Sequence, residues 1–376
     1  MSKRFLLVAG FVDSVLQFRG DLLSAIAGKG YAIHVAVPLS NSNAEAADKI
    51  RSMGYHVHPM PLNRVGLNPV SDLKYFLSLC RIIRMIQPDA VLAYTVKPVV
   101  YGVLAARLMS RAKRFALITG LGYAFLGGEG ASIKRRLVSR LVRMLYSVSL
   151  SNATPVFFQN PDDQKLFLDQ KITRPSLESS VVSGSGVDVS KYGLARFPNK
   201  TSFLMIARLL GDKGVREYSA AARIIKEKYP EVEFSLAGWI DDNPNSISQA
   251  ELERWVSDGT IKYLGRLRDV RDSIAECLVY VLPSYREGTP RTVLEAMSMG
   301  RAIITTDAPG CRETVKHGVN GFLIPVQDSL ELAGAMEKFV LEPDLAKRFG
   351  GESRIYAETK YDVKIVNEVM LQRMGV

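Results

Sequence analysis

Two glutamates, Glu287 and Glu295, stand eight residues apart in the segment Pro283-Ser284-Tyr285-Arg286-Glu287-Gly288-Thr289-Pro290-Arg291-Thr292-Val293-Leu294-Glu295. The apolar run 278–282 precedes them as a buried strand, Gly288 turns the chain, and Thr289 as N-cap with Pro290 at the first helical position opens a helix. Strand, glycine turn and helix start in succession form a place where backbone N–H groups and the helix dipole hold an anion. Val293, Leu294, Ala296 and Met297 surround Glu295, so its carboxylate needs a hydrogen-bond partner such as a ligand hydroxyl. Taken alone, a helix cap and a solvated helical charge explain the two glutamates as well or better.

A second segment shifts that balance. Ala207-Arg208-Leu209-Leu210-Gly211-Asp212-Lys213-Gly214 follows another apolar run, and Arg208 and Lys213 bracket its strand-to-helix loop. A guanidinium and an ammonium aimed at one place neutralise a departing diphosphate without a metal ion.

Both segments need a scaffold of parallel strands, and the hydrophobic pattern supplies one twice. The first half predicts strands near 4–9, 32–37, 55–60, 90–95, 114–119 and 155–159, with helices near 19–28, 70–86, 98–109, 132–148 and 161–169. The second half predicts strands near 202–207, 233–238, 261–264, 278–282 and 302–306, with helices near 214–229, 246–257, 269–276, 290–299, 328–340 and 343–358. The Ser183–Lys200 stretch, opening with two glycines, marks a boundary. The expected organisation is α/β: a doubly wound domain over 1–190, a second over 191–359, and a C-terminal helix near 360–376 packing back on the first. Two such sheets facing each other place their carboxyl ends on an interdomain cleft, where ligands of such folds bind.

Composition agrees with this class. The chain has 376 residues, 47% hydrophobic and 23% charged, which excludes disorder, and its 29 Gly and 17 Pro are too few for a fibrous repeat. No charge-free apolar run reaches the roughly 18 residues of a spanning helix. Met1 to Arg4 and the apolar stretch after them read as a first strand rather than a signal peptide, because Asp13 interrupts the stretch. Cys80, Cys277 and Cys311 lie far apart, which suits a reducing compartment. His56 and His58 face one side of a strand without a ligating partner at suitable spacing, so no metal site is expected.

The net charge of +11 lies wholly in the first half: residues 1–190 hold 23 Lys+Arg against 12 Asp+Glu, and the remainder holds 26 of each. Residues 107–143 hold nine basic residues and one acidic one. At helical spacing, Arg135, Arg136, Arg140 and Arg143 share an outer face, while Ile133, Leu137, Val138, Leu141, Met144 and Leu145 form a stripe expected in the core. The basic face suits an anionic membrane surface, with Tyr123, Phe125 and Leu126 of the glycine-rich loop as candidate contacts.

The chain resembles the GT4 family of retaining glycosyltransferases with the GT-B fold. Glu287 to Glu295 match the family's E-x7-E motif, Arg208 and Lys213 its diphosphate-binding pair, and Gly300, Thr306, Gly310, Asn320 and Gly321 its downstream turn residues. Tyr94 to Pro98 and Ile118 to Tyr123 are similar to a bacterial branch acting on polyprenyl-diphosphate-linked sugars, including α-1,3-N-acetylgalactosaminyltransferases of glycan assembly. The resemblance implies that Glu295 binds the ribose of a nucleotide sugar, UDP-linked as the best choice, and that Glu287 contacts the donor sugar. Arg208 and Lys213 would stabilise the leaving diphosphate, helped by Gly288, Thr289 and Pro290, with Arg266 near the base and Gly10 allowing a phosphate to approach. It implies no cofactor and no metal, an undecaprenyl-diphosphate-linked saccharide as acceptor, and work on the cytoplasmic face of the inner membrane. Thr95-Val96-Lys97 departs from the family, many members of which carry a histidine there; Lys97 is a candidate for an acceptor phosphate or an ordinary helix-start lysine. The competing functions are a UDP-sugar epimerase or hydrolase, a catalytically silent subunit, and a basic nucleic-acid-binding module. The last lacks stacking aromatics within the basic stretch, so no nucleic acid is expected.

Overall fold

A computed structural model describes residues 2–40, 43–62, 68–120, 133–241, 243 and 245–376, the side chains of 133–135 excepted. The expected loop contacts Tyr123, Phe125 and Leu126, and the side chain of Arg135, lie outside the described residues. The chain separates into two compact units, Met1–Ser185 with Asn367–Val376, and Gly186–Val366.

The first unit is built on seven parallel strands in the order β3-β2-β1-β4-β5-β6-β7. They are β1 (Lys3–Val8), β2 (Tyr31–Val37), β3 (His56–Pro59), β4 (Ala90–Tyr94), β5 (Lys113–Ile118), β6 (Val156–Phe158) and β7 (Ser179–Val181). One face of the sheet is covered by α1 (Val12–Gly28), α2 (Ala44–Ser52) and the end of α13 (Val363–Met374), which adds Met370, Leu371 and Met374 to that core. The other face carries α3 (Pro69–Ile86), α4 (Val103–Met109) with the π-turn Pro98–Gly102 before it, α5 (Ile133–Leu150) and α6 (Pro161–Asp169). Helix α3 stops where Gln87 takes a left-handed conformation ahead of Pro88.

Four elements of this unit differ from expectation. Helix α1 begins at Val12, seven residues before the expected start, and Arg19 is buried within it, its guanidinium over the Tyr94 ring at 5.3 Å. Helix α2 and strand β7 are short and only partly buried, so they leave little pattern. Helix α5 is also turned differently: of the expected stripe, Val138 and Leu145 pack against the core, but Leu137, Leu141 and Met144 are 59%, 42% and 57% exposed, while Val142, Tyr146 and Leu150 reach the core. Its apolar arc is wider than the sheet can cover, and the edge with the aromatic ring is the one that packs.

The second unit repeats the design with six parallel strands, β10-β9-β8-β11-β12-β13. These are β8 (Ser202–Ile206), β9 (Glu233–Ala237), β10 (Lys262–Gly265), β11 (Val279–Leu282), β12 (Ala302–Thr306) and β13 (Gly321–Ile324). Helices α7 (Val215–Lys228), α8 (Gln249–Ser257), α9 (Arg271–Glu276), α10 (Arg291–Ser298), α11 (Ser329–Leu341) and α12 (Pro343–Tyr356) complete it. Strand β13 was not expected: it is four residues long and begins at a glycine whose missing β-carbon lets Ile303 O approach to 1.9 Å of that site.

Three of the four histidines gather at the edge of the first sheet. His34 pairs in register with His56 on the edge strand β3, stacks on it at 4.7 Å, and shares a hydrogen bond of 2.9 Å with His58. Among the described residues no group of three or more ligating side chains converges on a metal position. Burial, with the neighbouring His58 and His56 next, lowers His34 to about 4 from an ordinary 6.5, and burial lowers His58 as well. Between pH 4 and 6.5 the unfolded chain therefore binds a proton that the folded sheet refuses, so stability rises with pH through that window. Urea unfolding of the first unit, followed by hydrogen exchange in β2 and β3, is expected to show a lower midpoint at pH 5 than at pH 7. His34→Phe should flatten the difference, and equal midpoints in the unsubstituted protein would contradict the burial account.

Candidate functional site

The site residues of the second half sit on loops at the carboxyl ends of neighbouring parallel strands. After β8 the chain runs through Arg208 to a short 3-10 turn, Gly211–Lys213, then enters α7 through Gly214. After β11 it runs from Pro283 to Pro290 and enters α10. Helix α10 starts one residue later than its sequence suggests: Pro290 is the N-cap, with extended backbone, and the first helical residue is Arg291.

Backbone contacts hold the 283–290 loop on both sides. Tyr285 N–H and Ser284 Oγ donate to Asp212 O at 2.9 and 3.2 Å, and Glu287 N–H donates to Pro309 O at 2.9 Å. Thr306 Oγ1 donates to Ser284 O. Close approach also demands glycine at two places. A β-carbon on Gly310 would lie 2.2 Å from Glu287 O, and one on Gly214 would lie 2.1 Å from Pro283 O; both residues have positive φ, 81° and 75°. Beneath the loop, burial pushes the Cys311 thiol up to about 12, so it stays protonated and packs as an apolar group.

This clamp brings Glu287 to Lys213: Nζ and Oε1 are 2.6 Å apart, with both side chains more than four-fifths covered. Arg208 does not join them. Its guanidinium pairs with Asp241 at 3.1 Å while the side chain remains 44% exposed. Arg266 lies with its guanidinium 4.6 Å from the Trp239 ring, a cation–π pair at the end of the sheet next to Arg208's strand.

Glu295 finds its partners inside the protein. Arg291 Nε donates to Glu295 Oε1 at 3.1 Å across one helical turn, and the Tyr192 hydroxyl donates to the same carboxylate. Burial raises Glu295 above the usual carboxylate range, opposed by the Arg291 charge and the Tyr192 hydrogen bond. Sequence reading missed both partners. Arg291 was legible as a cation four residues before a buried acid; Tyr192, in the segment that opens the second unit, carried no signal.

The first-unit candidates are placed elsewhere. Gly10 lies in the β1–α1 turn, where a β-carbon would meet Thr95 Oγ1 at 2.9 Å, so internal packing already accounts for the glycine. Lys97 is not an ordinary surface lysine: it is 2.6 Å from Asp72, both nearly covered, and Tyr101 also donates to Asp72 at 3.3 Å. Arg136 and Arg140 are exposed on α5 and Arg143 is half-buried.

Two parallel α/β units of this kind, the second with paired charged loops at its strand ends, have the architecture of the GT-B glycosyltransferases. Sucrose-phosphate synthase from Thermosynechococcus elongatus shares that fold with a TM-score of 0.80, over 98% of each chain at 17% identity. Residues 6–160 match the family model "Glycosyl transferase 4-like" and residues 200–341 match "Glycosyl transferases group 1". The chain belongs to this glycosyltransferase family. It is 29% identical over 367 residues, 92% of each chain, to N,N'-diacetylbacillosaminyl-diphospho-undecaprenol alpha-1,3-N-acetylgalactosaminyltransferase of Campylobacter jejuni. It is 26% identical over 283 residues, 70% of this chain and 69% of the relative, to UDP-Gal:alpha-D-GlcNAc-diphosphoundecaprenol alpha-1,3-galactosyltransferase of Escherichia coli.

Arg291→Met would leave the Glu295 carboxylate buried without its ion-pair partner. Breaking a buried pair from one side costs about 3 kcal/mol, which denaturant unfolding of the second unit should register. Adding Glu295→Gln to that variant should return most of the loss. A single variant as stable as the parent would show that Arg291 does not hold Glu295.

Proposed function

We propose that the protein is a retaining, metal-independent transferase that moves an N-acetylhexosamine from its UDP-sugar to an undecaprenyl-diphosphate-linked saccharide in polysaccharide or glycoprotein glycan assembly. It works at the cytoplasmic face of the inner membrane. The observation that carries the reading is the 2.6 Å Lys213–Glu287 pair, held on two loops beside the start of α10. A carboxylate and an ammonium set together at a helix entrance can meet the two ends of a nucleotide sugar: Glu287 accepts hydrogen bonds from hydroxyls of the sugar, and the diphosphate accepts from Lys213 and the first α10 N–H groups.

Arg208 contributes the second cation. Its exposed ion pair with Asp241 is weakly held, so turning to a diphosphate that gains charge in the transition state costs little. Two cations and a helix N-terminus supply the charge stabilisation for which other transferases use a metal ion. Glu295, already fixed by Arg291 and Tyr192, keeps an acceptor site for the ribose hydroxyls. The names of the Campylobacter and Escherichia relatives, each acting on a sugar linked to undecaprenyl diphosphate, support the acceptor class, and the UDP-galactose of the second supports the nucleotide.

The test is UDP release from a panel of UDP-hexoses and UDP-N-acetylhexosamines with and without an undecaprenyl-diphosphate-linked acceptor. Turnover is expected only when both substrates are present, and Glu287→Gln or Lys213→Met should lower it about a hundredfold at temperatures where each variant is shown to be folded. UDP release that needs no acceptor would instead indicate a hydrolase, and full turnover in Glu287→Gln would overturn the assignment of the site.

A further inference from the structure

Helices α3, α4 and α5 lie side by side on one face of the first sheet, and their outward surface differs from that of α1 and α2 on the opposite face. Together they contain nine basic residues and one acidic residue, Asp72. That single acid is buried against Lys97, so the outer surface offers cations alone. Helices α1 and α2, on the opposite face, hold three basic and four acidic residues. Arg19, one of the three, is buried. The charge asymmetry therefore divides the two faces of a single sheet.

The same three helices expose apolar side chains that a surface facing water does not require. On α5, Leu137, Leu141, Met144 and Val148 form a continuous outward stripe at helical spacing, and the exposed Arg136 and Arg140 lie beside it, about 60 to 100° around the axis. On α3, Leu73 and Leu77 continue into Arg81, Arg84 and Met85, all exposed. Leu108 and Arg107 do the same at the end of α4. Between α3 and α4 the surface dips into a groove lined by Arg81, Arg84, Met85 and Met109. On α1 and α2 only Phe18 is a large exposed apolar residue among the described residues. The patch has a boundary: α6, next along the same face, brings Asp162, Asp163 and Asp169.

Cations mixed with long apolar side chains, over a broad surface free of exposed acids, match one partner chemistry: an anionic lipid headgroup layer above acyl chains. A polyanion without an apolar layer would leave the leucines unmatched, and a second copy of this chain would bring cations against cations. We propose that the α3–α4–α5 surface is the membrane-docking face, with Leu137, Leu141 and Met144 entering the acyl boundary while Arg81, Arg84, Arg136 and Arg140 pair with anionic headgroups. This deepens the membrane location in the proposed function and rests on that reading only for the acceptor, since the surface is independent of the second-unit site.

The experiment is co-sedimentation of the full chain with phosphatidylcholine vesicles containing or lacking phosphatidylglycerol, over a range of salt, with turnover on a water-soluble short-chain acceptor measured in parallel. The parent protein should partition to the anionic vesicles and keep part of that binding at high salt. R81Q/R84Q/R136Q/R140Q should lose about fivefold in partitioning for each arginine removed. L137Q/L141Q/M144Q should lose at least about tenfold and become wholly salt-sensitive, and F18Q on the opposite face should change nothing. These are exposed positions, so folding is preserved. Partitioning equal to the parent in both multiple variants, an equal loss in F18Q, or lipid-free dimers abolished by L137Q/L141Q/M144Q would each overturn the proposal. Vesicle binding that follows the pattern without any turnover on the soluble acceptor would sink the catalytic reading and leave the docking face standing.

Discussion

The carbonyl oxygen of Glu287 sits 2.2 Å from where a β-carbon of Gly310 would be, and the geometry of the second unit's site depends on that contact. It lets the 283–290 loop lie flat against the loop that follows β12, where Pro309 O takes the Glu287 N–H. From there the loop touches Asp212 O on its other side, and the Glu287 carboxylate reaches Lys213. A strained or shifted loop would separate two charges whose burial is tolerable only as a pair. The chemistry of the site is thus set by backbone proximity first and by side chains second.

Electrostatics is divided between the units in two styles. In the second unit the overall charge is balanced and individual ions are placed: Lys213 on Glu287, Arg208 on Asp241, Arg291 on Glu295. Each cation is close enough to a carboxylate to be positioned by it, and the exposed Arg208 is the one least committed. In the first unit the excess is spread over α3, α4 and α5, whose lone acid is buried, which produces a field over a surface rather than a site. A small, polar, phosphate-bearing donor suits the first style, and an extended anionic sheet of lipid suits the second.

Much of the scaffold was legible because parallel strands buried on both faces leave unbroken apolar runs, and crossover helices leave three-four spacing between them. Elements lacking those marks were not: β7 and β13 have three and four residues, and the first turns of α1, Val12 to Phe18, were not read as helix. In the site, Glu287, Lys213 and Arg208 were visible as charged residues on strand-to-helix loops, yet the pairing of one cation with Glu287 and of the other with Asp241 depends on loop geometry. The expectation that Glu295 would need a ligand as its partner overlooked Arg291 four residues before it and Tyr192 far away in sequence. Residue spacing on α5 pointed the Leu137–Leu141–Met144 stripe at the sheet, whereas those three side chains face outward. Orientation came from what the neighbouring core could accommodate, a property of Tyr146 and Val142 against the sheet rather than of the helix alone.

If Gly310 acts by holding Glu287 in place, its substitution has no route to turnover except through that carboxylate. The direct test is a double-mutant cycle on kcat/KM with Gly310→Ala, Glu287→Gln and both together, each checked for folding. The account predicts that Gly310→Ala lowers kcat/KM strongly on its own and adds almost nothing in the Glu287→Gln background, a coupling typical of residues in contact. Effects that simply multiply would mean that Gly310 and Glu287 act separately, and the clamp would no longer explain the site.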